Sequence, residues 1–426
     1  MVWFKKIKRN GDINMNEAKT CKTCQLPEWY VTYYGDVKLD KEDDCFFCKH
    51  YEHTKDAYEI DYTSGKAEFE KLVEQSRGKG EYECIVLYTG GKDSSYTLYL
   101  MSQVYGLKTL ALTWDNGFFN DINTGNIEVT ARNLGVEHRY IRTDWDVLKH
   151  IYKNRLKSYG RFCNCVPLCF LYTAPVIYET KAPLVLFSSS FGQIASLAEI
   201  NARIDTSTGK AVAPIGDIIK NMGAVPIKNA AMEQYYTMLL DLVVGDLPPK
   251  VLEEMKYLLG YVHKLMSVED SLYVNPSVYF DWDMKQIINK IKEYGWKQPE
   301  DKGIYGHTSC IAERMKGYLA YKQNLINFDI IENSLLLRTG RIDIEEFNRE
   351  IECTGFTDVE PEVHNLFLEK LDMTREELND IIKNKLAIRS SIPEINTKNL
   401  ECLPVDTNID DLVEKLKRTY KTRLTI

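Results

Sequence analysis

The sequence predicts an α/β protein: a parallel sheet covered by helices on both faces, led by a cysteine-rich segment and followed by a mostly helical region. Three observations predict it. Apolar runs of strand length alternate with helical stretches between residues 82 and 200. One such run, Cys84-Ile85-Val86-Leu87-Tyr88, breaks at Gly90-Gly91 and passes through Lys92, Asp93, Ser94 and Ser95 into a helical stretch at Tyr96–Met101. Two Cys-x-x-Cys pairs, Cys21/Cys24 and Cys45/Cys48, stand ahead of the sheet with twenty residues between them.

Taken in order, residues 1–60 hold the cysteine pairs, and a helix is expected around Ala67–Val73. Strands are expected at Cys84–Tyr88, Lys108–Trp114, Glu137–Ile141 and Pro183–Ser188, with helices near 93–104, 122–134, 145–157 and 167–181. Ligands of such sheets sit at the carboxyl ends of the strands, where the Gly-Gly turn and Asp115-Asn116-Gly117 fall. From about 201 the pattern is helical, as at Met232–Val244, Pro249–Met266, Asp283–Tyr294 and Ile344–Cys353. Thr374-Arg375-Glu376-Glu377 reads as a capping box. The expected units are 1–60, a nucleotide domain at 61–245, a helical domain at 246–388, and a tail at 389–426 with an amphipathic helix near 408–419.

A chain of 426 residues with 44% hydrophobic and 27% charged content suits a soluble protein of two or three domains. Net charge −8 argues against non-specific grip on nucleic acid. No uncharged apolar stretch of ~18 residues suggests a membrane span, and the N-terminus lacks the apolar core of a signal peptide. Eleven cysteines, several in tight groups, point to metal ligands in a reducing cytoplasm.

Two glycines let a backbone turn sharply and approach an anion. The amides of the turn and of the new helix would then face it, with the helix dipole behind them. Lys92 adds a point charge, and Ser94 and Ser95 can cap the helix and donate hydroxyls to phosphate oxygens. The spacing is too short for the GxxxxGK[ST] loop.

Cys21, Cys24, Cys45 and Cys48 have the spacing of a zinc ribbon, a closed four-sulfur structural site. His50 and His53, just beyond, read as solvated side chains rather than as alternative ligands. Cys163, Cys165 and Cys169 crowd a loop-to-helix junction, and Cys310 stands far along the chain. Three readings stay open: a zinc or iron–sulfur site with Cys310 as a fourth ligand, a persulfide-carrying or nucleophilic cysteine, or buried small hydrophobes. Cys84, Cys353 and Cys402 are isolated and read as packing.

The turn Thr89-Gly90-Gly91-Lys92-Asp93-Ser94 resembles the SGGxDS loop of the PP-loop ATP pyrophosphatases, with Thr89 in place of Ser. The chain is further similar to the N-acetyl sugar amidotransferases of that superfamily. The likeness covers most of residues 21–388, through Cys21–Pro27, Leu39–Cys48, Asp144–Lys149, Phe162–Cys169, Phe280–Met284, Gly295–Lys297, His307–Cys310, Leu337–Ile342 and Phe367–Asp372. It implies a Rossmann-like adenine-nucleotide fold, ATP with Mg2+, and zinc. It also implies adenylation of the acetamido carbonyl of a nucleotide-linked sugar, with ammonia from partner glutaminase and channelling subunits displacing AMP, as in surface-polysaccharide synthesis. Under it Gly90, Gly91, Lys92, Ser94 and Ser95 hold the pyrophosphate, and Asp93 orients the loop or holds magnesium. Asp115 and Asn116 lie near adenosine or metal. His307 and Arg338 contact substrate, unless Arg338 forms a surface salt bridge. Two stretches depart from the family's usual pattern, Cys163–Cys169 and Ser188–Gln193, and both are expected to line the acceptor pocket. A homodimer is compatible with these features, and a nucleic-acid partner is not expected. The rival reading is a PP-loop sulfurtransferase acting on RNA or a small molecule. A non-catalytic zinc-ribbon module fits less well, because Lys92 and Asp93 are both in place.

Overall fold

Cys84–Leu87 is an unbroken run of buried apolar residues, and such a run can be satisfied only with a covered face on each side. It becomes β1, and neighbouring residues separate by strand periodicity. Ile85 and Leu87 enter one core with Leu110 and Leu112, and Cys84 and Val86 enter the other with Ala111.

The computed structural model describes residues 19–28, 39–202, 214–243, 247–300, 303, 310–323, 327–384, 409 and 411. In chain order α1 (Phe46–His53) and α2 (Tyr62–Ser76) lead into β1 (Cys84–Leu87), α3 (Lys92–Tyr99), β2 (Thr109–Asp115) and α4 (Asp121–Asn133). Then come β3 (Glu137–Arg142), α5 (Trp145–Tyr159), α6 (Cys165–Thr180), β4 (Leu184–Leu186), α7 (Phe191–Ala202) and α8 (Ile215–Asn221). They are followed by β5 (Ala224–Pro226), α9 (Ile227–Val243), α10 (Pro249–Leu265), β6 (Leu272–Val274) and α11 (Met284–Lys292). A helical C-terminal region closes the order: α12 (Glu313–Lys322), α13 (Phe328–Arg338), α14 (Ile344–Thr354), α15 (His364–Lys370) and α16 (Arg375–Lys383).

The strands run in the order β3-β2-β1-β4-β6-β5, parallel except for β5 against β6. Side chains of α5, α6, α9 and α10 fill the core on one face, and those of α3, α4, α7 and α11 fill the other. The order reverses between β1 and β4, which makes their carboxyl ends the switch point of the sheet. Asn120, Asp144 and Asp283 cap α4, α5 and α11 through their side chains. Thr374 and Glu377 form the expected reciprocal capping box.

The four strands expected from the sequence are present with ends shifted by a residue or two. β5 and β6 were not foreseen, and they place residues 272–274 in the sheet, beyond the expected 245/246 boundary. Of the expected 389–426 tail, only residues 409 and 411 are among those described. Among the described residues no helix is long and apolar enough to cross a membrane.

Candidate active site and metal centre

The turn after β1 takes its shape from Gly90, whose φ of +69° is left-handed. A Cβ there would meet Ile127 Cγ1 at 2.5 Å and the Asn123 carbonyl at 3.0 Å, so only glycine fits. Both carbonyls of the turn are held. Asn123 Nδ2 donates to Thr89 O at 2.8 Å, and Trp296 Nε1 donates to Gly90 O at 2.9 Å. Gly91 is the N-cap of α3. The Ser94 hydroxyl closes the turn, accepting from the Thr89 amide and donating to Gly91 O, both at 3.2 Å.

Thr89 is exposed, whereas Lys92 and Ser94 are buried. Lys92 Nζ lies 3.2 Å from Asp93 Oδ2, and Asp93 Oδ1 accepts Trp282 Nε1–H at 2.8 Å. Asp93 therefore orients the turn, tying it to the segment after β6. Ser95 is fully buried beside the Tyr88 hydroxyl, which places it behind the turn. The loop after β4 reaches the same helix: Ser188 Oγ donates to Thr97 Oγ1 at 2.8 Å.

At the end of β2, Asp115 Oδ1 accepts the Gly117 amide at 2.8 Å, forming a local turn. Asn116 Oδ1 accepts the Phe118 amide at 2.8 Å, and the Asn116 side chain lines a small cavity with Phe118, Tyr152, Cys163, Cys165 and Cys310. Cys163 and Cys165 sulfurs are 3.6 Å apart. That contact is the main cause holding the Cys163 thiol down at about 6, with Lys316 also favouring the thiolate. Burial pushes Cys310 up to about 12. Cys169, likewise raised to about 12 by burial, does not line the cavity. Of the expected set Cys163, Cys165, Cys169 and Cys310, the structure brings three thiols around one space and leaves Cys169 outside it. One helical turn separates Cys169 from Cys165 on α6, and it carries Cys169 past the cavity. Cys84 is core packing, as its strand position required, while Cys402 and His307 lie outside the described residues.

Cys21, Cys24, Cys45 and Cys48 bring four buried sulfurs within 4.8 Å of one another. The Cys21–Cys48, Cys24–Cys45 and Cys45–Cys48 separations are each 3.6 Å. A tetrahedron of thiolates at the ordinary metal–sulfur distance of ~2.3 Å has an edge of ~3.8 Å. The Cys45 amide donates to Cys21 Sγ at 3.3 Å, as it would to a thiolate. These donors fit a closed four-sulfur metal site. Among the described residues the second cysteine group forms no comparable cluster. His50 is buried on α1, not solvated, while His53 is exposed as expected.

Arg338 takes neither of its expected positions. At the end of α13 it is fully buried and pairs through Nη2 with Glu199 Oε2 of α7. Glu199 Oε1 also accepts Tyr58 O–H at 2.6 Å. The guanidinium lies 5.5 Å from the centre of the Phe47 ring and faces the cysteine centre. Burial opposes the charge, but Glu199 and the sulfurs of Cys24, Cys45 and Cys48 outweigh it and hold it firmly protonated. Nearer the start of α13, Glu332 accepts from the Ser190 hydroxyl, and burial raises its carboxyl to about 8.

No family model matches the chain, and no curated protein matches it. Among solved structures, the U34-tRNA thiolase NcsA from Methanococcus maripaludis with its [4Fe-4S] cluster is similar at 14% identity and a TM-score of 0.30. That comparison covers 81% of this chain and 90% of the other. A likeness at that level carries no functional weight.

Proposed function

We propose that this chain is an ATP pyrophosphatase of the PP-loop type. It cleaves ATP between the α and β phosphates and transfers AMP to an oxygen of a second substrate, which a nucleophile then displaces. One observation carries this reading. The Thr89–Ser94 turn stands at the carboxyl end of the central strand, beside the switch point, with a left-handed Gly90, a capping Gly91 and Lys92 at the first helical position. First-turn amides have no intrahelical acceptor, and a lysine beside them favours an anion. Stabilising the departing pyrophosphate this way needs no covalent help from the protein. Magnesium bound with ATP would share the phosphate charge. Asp93, fixed by Trp282, would orient it.

The thiol-lined cavity at the end of β2, next to β1, supports sulfur as the incoming atom. Cys163, just ahead of α6, lies where a helix dipole favours a thiolate, while the contact with Cys163 and burial hold its neighbour Cys165 as the thiol. A second reading, delivery of ammonia-derived nitrogen to the acetamido carbonyl of a nucleotide-linked sugar, is favoured by a different observation. The segments that resemble the amidotransferases converge on the site. Trp282 reaches Asp93, Trp296 reaches the Gly90 carbonyl, and Phe367 packs on Phe118 and Phe162 beside the thiols. In both readings the four-cysteine centre holds zinc as a structural ion.

The test is product analysis with anaerobically purified protein. ATP is supplied with UDP- and CMP-linked N-acetyl sugars or a small thiolation acceptor, and with ammonium or sulfide as donor. AMP and pyrophosphate are the expected products, and ADP with orthophosphate would end the proposal. Sulfide-dependent turnover by an iron-containing protein selects sulfur transfer, and ammonium-dependent turnover of an iron-free protein selects amidination.

A further inference from the structure

Glu332 is an anomaly for a nucleotide site. It is a carboxyl group, 2% exposed, close enough to Lys92 and Asp93 of the turn after β1 to feel both charges. It reaches there from α13, and its Oε1 accepts from Ser190 Oγ. Ser190 in turn caps α7: its hydroxyl oxygen accepts the Gln193 amide at 3.1 Å, and its own amide donates to Gln193 Oε1 at 3.1 Å. With its oxygen used as the cap, the Ser190 hydroxyl proton is directed at Glu332. Gly192 leaves the room this needs, since a Cβ there would meet Glu332 Cγ at 2.8 Å. Ser190 follows β4, and β4 lies beside β1 at the switch point, so this loop leaves the sheet next to the Gly90–Gly91 turn and meets α3 where Ser188 bonds Thr97.

We propose that Glu332 is a positioning residue for ATP, acting through Ser190 to fix the loop after β4 against the phosphate turn. This deepens the ATP pyrophosphatase reading and rests on it. The charged groups around Glu332 are Lys92 and Asp93 on α3 and Asp329 on its own helix, where Asp329 pairs with Lys316 of α12. Burial, Asp329 and Asp93 favour the protonated acid, while Ser190 and Lys92 favour the carboxylate. The balance leaves Glu332 neutral at pH 7. A neutral acid can accept from Ser190 without repelling the phosphates, and a carboxylate cannot. Alkaline pH then adds a negative charge beside bound nucleotide.

The experiment uses the full chain, with α,β-methylene-ATP binding by calorimetry read separately from kcat and KM for ATP from pH 6.5 to 9. In the wild type the KM for ATP and the analogue Kd are expected to rise at least fivefold above pH 8, with kcat changing less. Glu332→Gln keeps the acceptor without the charge, and its KM is expected to stay flat. Ser190→Ala is expected to raise KM and Kd at least fivefold at every pH while melting within a few degrees of wild type. Glu332→Leu is expected to behave like Ser190→Ala. Should the leucine variant fail to fold, Ser190→Ala decides. If Ser190→Ala and Glu332→Gln both track the wild type, alkaline rise included, the proposal is overturned. A wild type that binds the analogue but releases no pyrophosphate defeats the reaction and still tests the residue.

Discussion

Arg338→Met removes one member of a buried ion pair whose side chains are 1% and 0% exposed. Glu199 is left inside the protein with Tyr58 as a hydrogen-bond donor but no cation. Breaking a buried pair on one side costs about 3–5 kcal/mol, because the remaining charge is uncompensated. That is a large share of the ~5–15 kcal/mol that holds a domain folded. Replacing both partners removes the stranded charge. The double variant Arg338→Met/Glu199→Leu is therefore expected within ~2 kcal/mol of wild type, a coupling of ~2 kcal/mol or more. Urea unfolding of the metal-loaded protein, followed by tryptophan fluorescence, measures this, provided the slopes of the four proteins agree. Arg338 also faces the sulfurs of Cys24, Cys45 and Cys48, so chelator competition is expected to show metal affinity reduced roughly 10-fold or more in the single variant. Additive single effects, or a loss below ~1 kcal/mol in Arg338→Met, would refute the reasoning.

Other outcomes rest on the same geometry. Lys92→Ala is expected to abolish pyrophosphate release while leaving metal content unchanged; unchanged turnover would remove Lys92 from the site. Gly90→Ala forces a side chain into left-handed backbone against Ile127, so a loss of ~1–3 kcal/mol together with ATP binding is expected in denaturation and calorimetry. Cys21→Ser should release the metal and lower the unfolding midpoint by roughly 5 °C or more, with AMP formation per folded molecule changed less than about twofold; a fully stable metal-free variant would contradict a structural centre. Glu332 has a sign that can be checked. Its native pKa of about 8 lies above the ordinary 4.5, so its stabilising contribution is complete below ~4.5 and lost as pH rises to 8. Glu332→Gln should flatten that decline and gain a few kcal/mol over wild type at pH 8, read as the difference in urea midpoints.

The readable parts of this fold are local. Cys84–Leu87 is apolar on both faces and is followed at once by glycines, so strand, turn and helix could be read together. The four-cysteine centre was readable because each knuckle is defined by two cysteines with two residues between them. β5 and β6 were missed because three residues carry no alternation, and both strands exist through pairing with the sheet. The partners that shape the site are remote in sequence. Trp282 reaches Asp93 from 189 positions away, Trp296 reaches Gly90 from 206, and Arg338 reaches Glu199 from 139. A buried arginine and a solvated one look alike in a sequence, since only tertiary packing decides which is which. The same holds for Ser95, whose place in the motif suggests phosphate but whose position on α3 turns it toward Tyr88.

Helix α13 joins what the sequence presents as separate devices. Ile330 and Ile331 pack among the four cysteines, Arg338 pairs with Glu199 on α7, and Glu332 meets Ser190 at the start of α7. Glu332 precedes Arg338 on α13 just as Ser190 precedes Glu199 along α7, so the two helices run alongside in the same direction and are pinned at two points. Each pin is a buried polar contact, which loses its energy abruptly when misaligned. A shift of α13 at the cysteine centre therefore cannot be absorbed gradually along the helix. It must break one pin or move α7, and α7 begins at the loop after β4, which meets α3 beside the Gly90–Gly91 turn. The four-cysteine centre, more than a hundred residues from Ser190 in sequence, is in this way part of the support for the loop beside the Gly90–Gly91 turn.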